Sequence, residues 1–258
     1  MKLGFEEAQT SFTSGAQTAR VLTERWVADW MYCVNCSVPR LSQFPNNRPV
    51  ADFFCPNCSD QFEVKSTKKA IGSRVVDGAY ATKIERLRSD TNPNLLLLGY
   101  DAKAREVRNV CIVPKHFFTP EIIERRPPLG PNARRAGWVG SNILLGKVPD
   151  AGRIFVLRDG VPAQRDDVLA KWQQTLFLRQ AGGNARGWLI EVIKVVERLG
   201  RSDFALDDVY AFEQHLAALY PGNNNIRPKI RQQLQVLRDN GYLEFTGRSH
   251  YRLRNGGS

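Results

Sequence analysis

Four of the five cysteines in this 258-residue chain occur as two close pairs, Cys33/Cys36 and Cys55/Cys58. The 18 residues between the pairs fall within the spacing expected for a four-cysteine zinc site. Two disulfides or a set of buried thiols are the alternative, but the second pair encloses Pro56 and Asn57, which suit a metal-binding turn better than a core strand. Four thiolates leave no position for water, so we expect a structural Zn2+.

The charge balance indicates the partner. The chain has 37 basic and 26 acidic residues, a formal net charge of +11, which favours nucleic acid over an acidic membrane surface. No apolar run approaches the roughly 18 residues needed to span a bilayer, and the N-terminus carries acids where a signal peptide would be apolar. Two cysteine pairs that bind a metal, instead of forming disulfides, are typical of a protein in a reducing compartment. We therefore expect a cytoplasmic protein that does not contact membranes.

Three charged residues flank the second cysteine pair. Residues i and i+2 of a strand face the same way, so Glu63 and Lys65 should project together, and Asp52 on the preceding strand could meet them across a hairpin. Two neighbouring carboxylates bind a hard cation such as Mg2+, and a lysine beside them stabilises or helps to deprotonate an attacking water. This grouping predicts phosphodiester hydrolysis.

On spacing alone, the same residues are equally consistent with a strand pair that carries solvated charges. The neighbouring zinc site and the further bases Lys68 and Lys69 favour the catalytic interpretation, because a phosphate site needs positive charge. A second triplet of similar pattern, Asp101-Ala102-Lys103, follows an apolar run and is predicted to be an exposed hairpin turn.

The rest of the first half predicts a mixed α/β domain. Helical periodicity occurs over 17–30, 78–90 and 168–178, and apolar strands are predicted at 95–100, 107–113 and 152–160. The fifth cysteine, Cys111, lies in one of these strands and is interpreted as a small buried side chain. Glycines and polar residues over 180–187 predict a linker, so we place one domain at 1–182 and another at 183–258.

The segment 124–140 is rich in proline, glycine and arginine. This composition predicts a long irregular loop that contacts DNA through its arginines and through an indole packed on a base or its methyl group. N6-methylation of adenine adds an apolar group in the major groove, so a reader of that mark needs an apolar wall. A solvated basic loop with a buried indole anchor is the alternative. The candidate contacts are Arg125, Arg126, Arg134, Arg135 and Trp138.

The C-terminal segments follow the order of a winged helix. Helices are predicted at 188–199 and 206–219, and a third begins after Asn223–Asn225 and ends before Gly241, followed by two strands around the turn 246–249. From Ile226 onward there are seven bases and two acids, which concentrates positive charge on the third helix and the wing. A solvated helix face is the alternative for any one residue. The expected DNA contacts are Arg227, Lys229, Arg231, Gln232, Gln235, Arg238 and Arg248.

Eight short stretches along nearly the whole chain occur in an informative order: NRPVADF, the second cysteine pair, FEVKS, DGAYATKIERL, NPN, ARRAGWVG, GRIF and IRQQLQVLRD. In this order they resemble the DpnI family of methyl-directed restriction endonucleases, members of the PD-(D/E)xK nuclease superfamily. One departure from the superfamily pattern is that Pro49 does not directly precede the acid.

The resemblance implies a PD-(D/E)xK core with Asp52 and Glu63 as Mg2+ ligands, helped by the Val64 carbonyl, and Lys65 as the catalytic lysine. It further implies cleavage of double-stranded DNA at GATC sites that contain N6-methyladenine, giving 5′-phosphate ends. A non-catalytic, zinc-containing winged-helix regulator and a nuclease with another methylation preference are the alternatives. The oligomeric state does not follow from the sequence; a monomer is favoured.

Overall fold

The computed structural model describes residues 1–5, 14–45, 51–68, 70–89 and 91–254. Several parts of the sequence interpretation therefore lie outside the described residues: the acids Glu6 and Glu7 near the N-terminus, positions 46–50, which include the start of the NRPVADF run, Lys69, Asp90 at the end of the second predicted helix, and positions 255–258. The chain divides into two compact units, Met1–Val148 with Gly152–Trp172, and Pro149–Ala151 with Gln173–Ser258. Within the described ranges, no helix is long and apolar enough to cross a membrane.

The first unit is built on a mixed sheet of seven strands among the residues described, in the order β1-β2-β3-β5-β6-β9-β10. Its helices are α1 (Gly15–Trp30), α2 (Tyr80–Arg88) and α3 (Arg165–Gln173), the last of which ends in the second unit. Its strands are β1 (Ser42–Gln43), β2 (Phe53–Phe54), β3 (Gln61–Thr67), β4 (Arg74–Ala79), β5 (Asn94–Asp101), β6 (Glu106–Val113), β7 (Ile123–Pro128), β8 (Val139–Leu144), β9 (Ile154–Arg158) and β10 (Val161–Pro162).

The central strand β5 is buried at every residue except the last. It pairs in parallel with β3 and antiparallel with β6, and its continuous apolar run is typical of a strand that is covered on both faces. Buried Asn94 fixes the start of this pairing, because its Nδ2 donates to the Gln61 carbonyl at 3.0 Å and its Oδ1 accepts from the Lys115 N–H at 2.9 Å. The predicted mixed α/β class is confirmed.

A second sheet, in the order β4-β8-β7, corrects the prediction that residues 124–140 form an irregular loop. The segment begins in β7 and ends in β8, and only the residues between them form the connection. Proline is compatible with β7 because this strand is at the sheet edge and pairs with β8 alone, with a register shift between Arg125 and Pro128. Strand β4, which pairs with the other side of β8, was not predicted.

The second unit has the elements of a winged helix. Its helices are α4 (Gly183–Arg198), α5 (Leu206–Tyr210), α6 (Glu213–Leu219) and α7 (Ile226–Asp239). Its strands are β11 (Asp203–Ala205), β12 (Leu243–Gly247) and β13 (His250–Leu253), which form a sheet in the order β11-β13-β12.

Three predicted boundaries in and before this unit were wrong. The predicted linker 180–187 is helical from Gly183 onward. Tertiary packing of α4 overrides the low helix propensity of glycine here; Trp188, for example, stacks on Tyr220 with ring centres 4.0 Å apart. The helix predicted over 206–219 is divided between α5 and α6, and that over 168–178 ends at Gln173, with a 3-10 turn at Leu176–Arg179. The domain boundary at 182/183 stays a prediction.

Helix α7 follows its predicted faces. Ile226, Ile230, Leu234 and Leu237 are buried, whereas five of the six predicted DNA-contacting residues on this helix are exposed and the sixth, Lys229, is half-buried. Gly241 just after the helix has a φ of 73°, a conformation that glycine adopts without strain. The helix therefore packs through one stripe and presents the opposite, basic face to solvent.

We expect Leu234→Ala to lower the free energy of unfolding by about 2–5 kcal/mol, because it leaves a cavity under α7. Gln235→Ala is the matched control, since Gln235 is the next residue in the sequence and is exposed. This variant should change the free energy of unfolding by less than about 0.5 kcal/mol. Chemical denaturation of both variants checks this. Equal free energies of unfolding for the Leu234→Ala and Gln235→Ala variants would contradict the packing of α7.

Candidate active site and metal centre

The four paired cysteines come together in one cluster. Their Sγ atoms all lie within 4.8 Å of one another, with Cys33 and Cys58 at 3.6 Å and Cys36 and Cys55 at 3.4 Å. A tetrahedral zinc ion with Zn–S bonds of about 2.3 Å requires sulfur separations of about 3.8 Å, so the donor set fits Zn2+. None of the four forms a disulfide.

Each cysteine pair is held by the same backbone turn. Ser37 N–H donates to the Cys33 carbonyl at 2.9 Å, and Ser59 N–H donates to the Cys55 carbonyl at 3.0 Å. Both serines have positive φ, 63° and 62°. Burial acts to raise the pKa of the Cys36 thiol, but hydrogen bonds with Asn57, the Val38 backbone and neighbouring thiols lower it to about 6. The two turns thus present four sulfur ligands from two similar loops.

The second cysteine turn forms the connection between β2 and β3. These strands pair antiparallel, with Phe53 opposite Phe62. Asp52, just before β2, continues this ladder, because its N–H donates to the Phe62 carbonyl at 3.0 Å and its Oδ2 accepts from the Val64 N–H at 2.8 Å. The hairpin therefore holds the Asp52 carboxylate against the strand that carries Glu63 and Lys65.

Four charged side chains form a closed ring behind this hairpin, and we call them the charge ring: Glu63, Lys65, Asp77 and Lys83. Lys65 Nζ lies 2.8 Å from Glu63 Oε1 and 3.0 Å from Asp77 Oδ1. Lys83 Nζ lies 3.1 Å from Glu63 Oε2 and 3.1 Å from Asp77 Oδ2. Each carboxylate thus contacts both ammonium groups.

The ring shifts the titration of its members. Burial acts against ionisation of Asp77, but the ammonium groups of Lys83 and Lys65 hold the pKa of this carboxyl well below its usual range. Burial acts to lower the pKa of Lys65, but the carboxylates of Glu63 and Asp77 raise it above its usual range. Both groups are therefore ionised near neutral pH.

Asp52, Glu63, Val64 and Lys65 line one cleft of about 330 Å3. Helix α1 contributes Arg20 to the same cleft, with its Nη2 3.6 Å from Asp52 Oδ1, and also Glu24, whose Oε2 accepts from Gln43 Nε2 at 2.9 Å. Two carboxylates in a polar cleft provide the hard oxygen donors that Mg2+ prefers. The residues present therefore fit this cation.

Sequence reasoning missed Asp77 and Lys83 at this site. The periodicity over 78–90 predicts a helix but assigns Lys83 no functional role, yet the side chain of Lys83 is only 6% exposed. The signal was available, since Lys83 lies four residues from both Ala79 and Leu87 and so shares their apolar stripe. Asp77 was missed because the glycine-containing strand β4 was not predicted.

The basic hairpin β7–β8 brings two of its predicted residues, Arg125 and Trp138, to one groove. Trp138 is half-buried and lines a groove of about 910 Å3 with Tyr80, Ile84 and Arg125. The Arg135 guanidinium lies 4.8 Å from the centre of the indole ring. Arg125, Arg134 and Arg135 are exposed and Arg126 is half-buried. Trp138 is thus neither a fully buried anchor nor free in solvent.

In the second unit, several residues of the exposed α7 face are held by neighbours. Arg227 Nε lies 2.8 Å from Glu213 Oε2, and Lys229 Nζ donates to Gln232 Oε1 at 2.8 Å. The Arg231 guanidinium lies 5.7 Å from the ring centre of Tyr210. Arg248 is exposed in the turn between β12 and β13. The basic surface therefore includes both the helix and the wing.

We expect Cys55→Ser to remove zinc from the cluster and to lower the free energy of unfolding by more than about 3 kcal/mol, because metal binding is coupled to folding. Cys111→Ala is the matched control, since it changes a buried cysteine outside the cluster and should retain zinc. Elemental analysis and denaturant unfolding check both. A Cys55→Ser protein with full zinc content and unchanged stability would contradict the cluster as a zinc site.

Comparison with known families agrees with this architecture. Residues 1–181 match the family model described as DpnI, Dam-replacing family. Residues 184–253 match the model described as the Dam-replacing HTH domain, in agreement with the helices and wing of the second unit. Together these two matches cover most of the chain, and we conclude that it belongs to the DpnI, or Dam-replacing, family.

Proposed function

We propose that this protein is a methyl-directed restriction endonuclease with a PD-(D/E)xK core, which hydrolyses double-stranded DNA at GATC sites containing N6-methyladenine. The observation that carries the proposal is the convergence of Asp52, Glu63 and Lys65 in one cleft on the β2–β3 hairpin. Membership of the DpnI family supports it. As products we expect 5′-phosphate and 3′-hydroxyl ends.

In this proposal Asp52 and Glu63 hold Mg2+, with the Val64 carbonyl as a further ligand. Bound magnesium supplies a concentrated positive charge beside the phosphate. Lys65 extends from the same strand face as Glu63, with its ammonium 2.8 Å from that carboxylate. This ammonium stabilises the attacking water as it loses its proton, and it stabilises the negative charge that develops on the phosphate oxygens. Exposed Arg20 lines the same cleft, paired with Glu24 and close to Asp52, and is a further candidate contact for phosphate.

Zinc has a structural role in this proposal. The Cys55 and Cys58 turn connects the two strands that position Asp52 and Glu63, so Zn2+ fixes the hairpin without taking part in hydrolysis. Loss of zinc therefore damages cleavage through the geometry of the hairpin.

DNA is contacted at two surfaces. In the nuclease domain, placed at 1–182, Arg125, Arg126, Arg134 and Arg135 bind phosphates or guanine edges, and Trp138 forms the apolar wall for the methyl group. In the winged-helix domain, placed at 183–258, α7 enters the major groove and Arg248 in the wing contacts phosphate or the minor groove. We favour a monomer that acts in the cytoplasm.

We expect plasmid with adenine methylation at GATC to be cut in the presence of Mg2+ and to stay intact with a chelator of divalent cations. Plasmid without this methylation should stay intact in both conditions. Gel electrophoresis measures the result. Intact methylated plasmid in every condition would favour a non-catalytic winged-helix regulator, and equal cutting of both plasmids would remove the methylation requirement.

The same cleavage assay tests whether Asp52 belongs to the active site. Asp52→Ala should lower the cleavage rate by roughly 1000-fold, because it removes a cation ligand. Asp101→Ala is the matched control, since Asp101 belongs to the other Asp-x-Lys triplet and is exposed; its rate should stay within about twofold. An Asp52→Ala protein that cleaves like the control would show that the cation is held elsewhere.

Gly140→Ala tests the apolar wall. A Cβ at Gly140 would lie 2.8 Å from Trp138 Cζ3 and 2.9 Å from Cη2, so alanine must displace the indole. We expect the ratio of cleavage rates on methylated and unmethylated plasmid to fall about 10-fold. Gly130→Ala, in the same hairpin with no atom within 4 Å of the added Cβ, should leave the ratio unchanged. Identical ratios in both variants would exclude Trp138 as the wall.

A further inference from the structure

The charge ring contains one lysine more than the proposed chemistry uses. Glu63 and Lys65 line the cleft, whereas Asp77 and Lys83 lie behind them, with side chains only 3% and 6% exposed. Lys83 cannot reach a phosphate in the cleft except through its neighbours. Any effect it has on the reaction must therefore pass through Glu63 or Asp77.

Lys83 is fixed in this interior position by three contacts. Its Nζ lies 3.1 Å from Glu63 Oε2, 3.1 Å from Asp77 Oδ2 and 5.3 Å from the ring centre of Phe118. A buried ammonium group is stable only when it is paired, and here both of its charged partners are in the ring. Asp77, which does not line the cleft, thus anchors Lys83.

The contact with Glu63 has a consequence for cation binding. Oε2 of Glu63 accepts from Lys83 while Oε1 contacts Lys65, so each oxygen of this carboxylate has an ammonium partner. A divalent cation at Glu63 must therefore bind within a few ångströms of two positive charges. In a partly buried site this repulsion is weakly screened and opposes binding.

We propose that Lys83, anchored by Asp77, is a positioning residue whose ammonium contacts the Glu63 carboxylate and thereby weakens the affinity of this carboxylate for the divalent cation. The ring is neutral as it stands, with two carboxylates and two ammonium groups. Removal of Lys83 leaves Glu63 and Asp77 each paired with Lys65, and the site gains one net negative charge. This inference rests on the proposed role of Glu63 as a cation ligand.

Direct measurement of Mn2+ binding tests the idea without DNA and without cleavage. Zinc-loaded protein is titrated with Mn2+, and free Mn2+ is followed by its electron paramagnetic resonance signal. The variants are Lys83→Met, Asp77→Asn and the double variant Lys83→Met/Asp77→Asn. Lys103→Met, at an exposed turn lysine, is the matched control. Thermal unfolding of each variant shows which of them retain the fold.

If Lys83 acts through its charge, the variants should differ in Mn2+ affinity in a fixed order, which a merely structural role of Lys83 does not predict. Lys83→Met should bind Mn2+ about 10-fold more tightly than the natural protein, and Asp77→Asn should bind it several-fold more weakly. The double variant removes one charge of each sign, so its affinity for Mn2+ should return to within a few-fold of the natural value. This comparison tests the proposal even if one of the single variants fails to fold. Lys103→Met should not differ from the natural protein.

Glu63→Gln separates failure of this inference from failure of the proposed site. If Glu63→Gln abolishes Mn2+ binding while Lys83→Met, Asp77→Asn and the double variant all bind like the natural protein, the metal site stands and the role of Lys83 is overturned. If Glu63→Gln binds Mn2+ normally, Glu63 is not a cation ligand, and both the proposed site and this inference are wrong.

Discussion

The antiparallel pairing of β2 with β3 determines where the charged residues of this protein meet. Phe53 opposite Phe62 sets the register, and Asp52 extends it by donating its backbone N–H to Phe62 and accepting from Val64 with its side chain. A slip of one residue would turn every side chain of β3 to the opposite face. The cysteine turn that joins the two strands excludes such a slip, because its sulfur atoms must also reach the first cysteine pair.

The same strand connects the site to the core. β3 pairs in parallel with β5, which is buried along nearly its whole length, and Asn94 links the start of β5 to Gln61. One face of β3 carries Glu63 and Lys65 into the cleft and against Asp77 and Lys83. A rigid neighbour on one side and charged neighbours on the other leave the side chains of Glu63 and Lys65 little freedom of orientation, as the proposed active site requires.

Local patterns predicted most of the architecture. The cysteine spacing, the apolar run of β5 and the stripe of α7 each depend on residues close in sequence, and all three were found as expected. The glycines at the start of α4 and the prolines of β7 were misleading, because tertiary packing and an edge position overrode their local preferences. The apolar stripe of α2 indicates that Lys83 is buried, but its pairing with Asp77 could not be derived from that helix, since Asp77 is in a strand that pairs with a distant part of the chain.

The two cysteine turns also bear on the order in which the chain folds. Cys33 and Cys58 are 25 residues apart, whereas Glu63 and its partner Leu95 in β5 are separated by a longer stretch of chain. Closing a shorter loop costs less conformational entropy, and a metal ion that joins its ends stabilises it at once. A zinc ion bound by these two turns would therefore favour early formation of the hairpin together with the end of α1, onto which β5 would add later. A chain synthesised without available zinc would instead depend on the long-range pairing of β3 with β5 to hold this hairpin in place, and such pairing is slower and leaves strand edges open to aggregation.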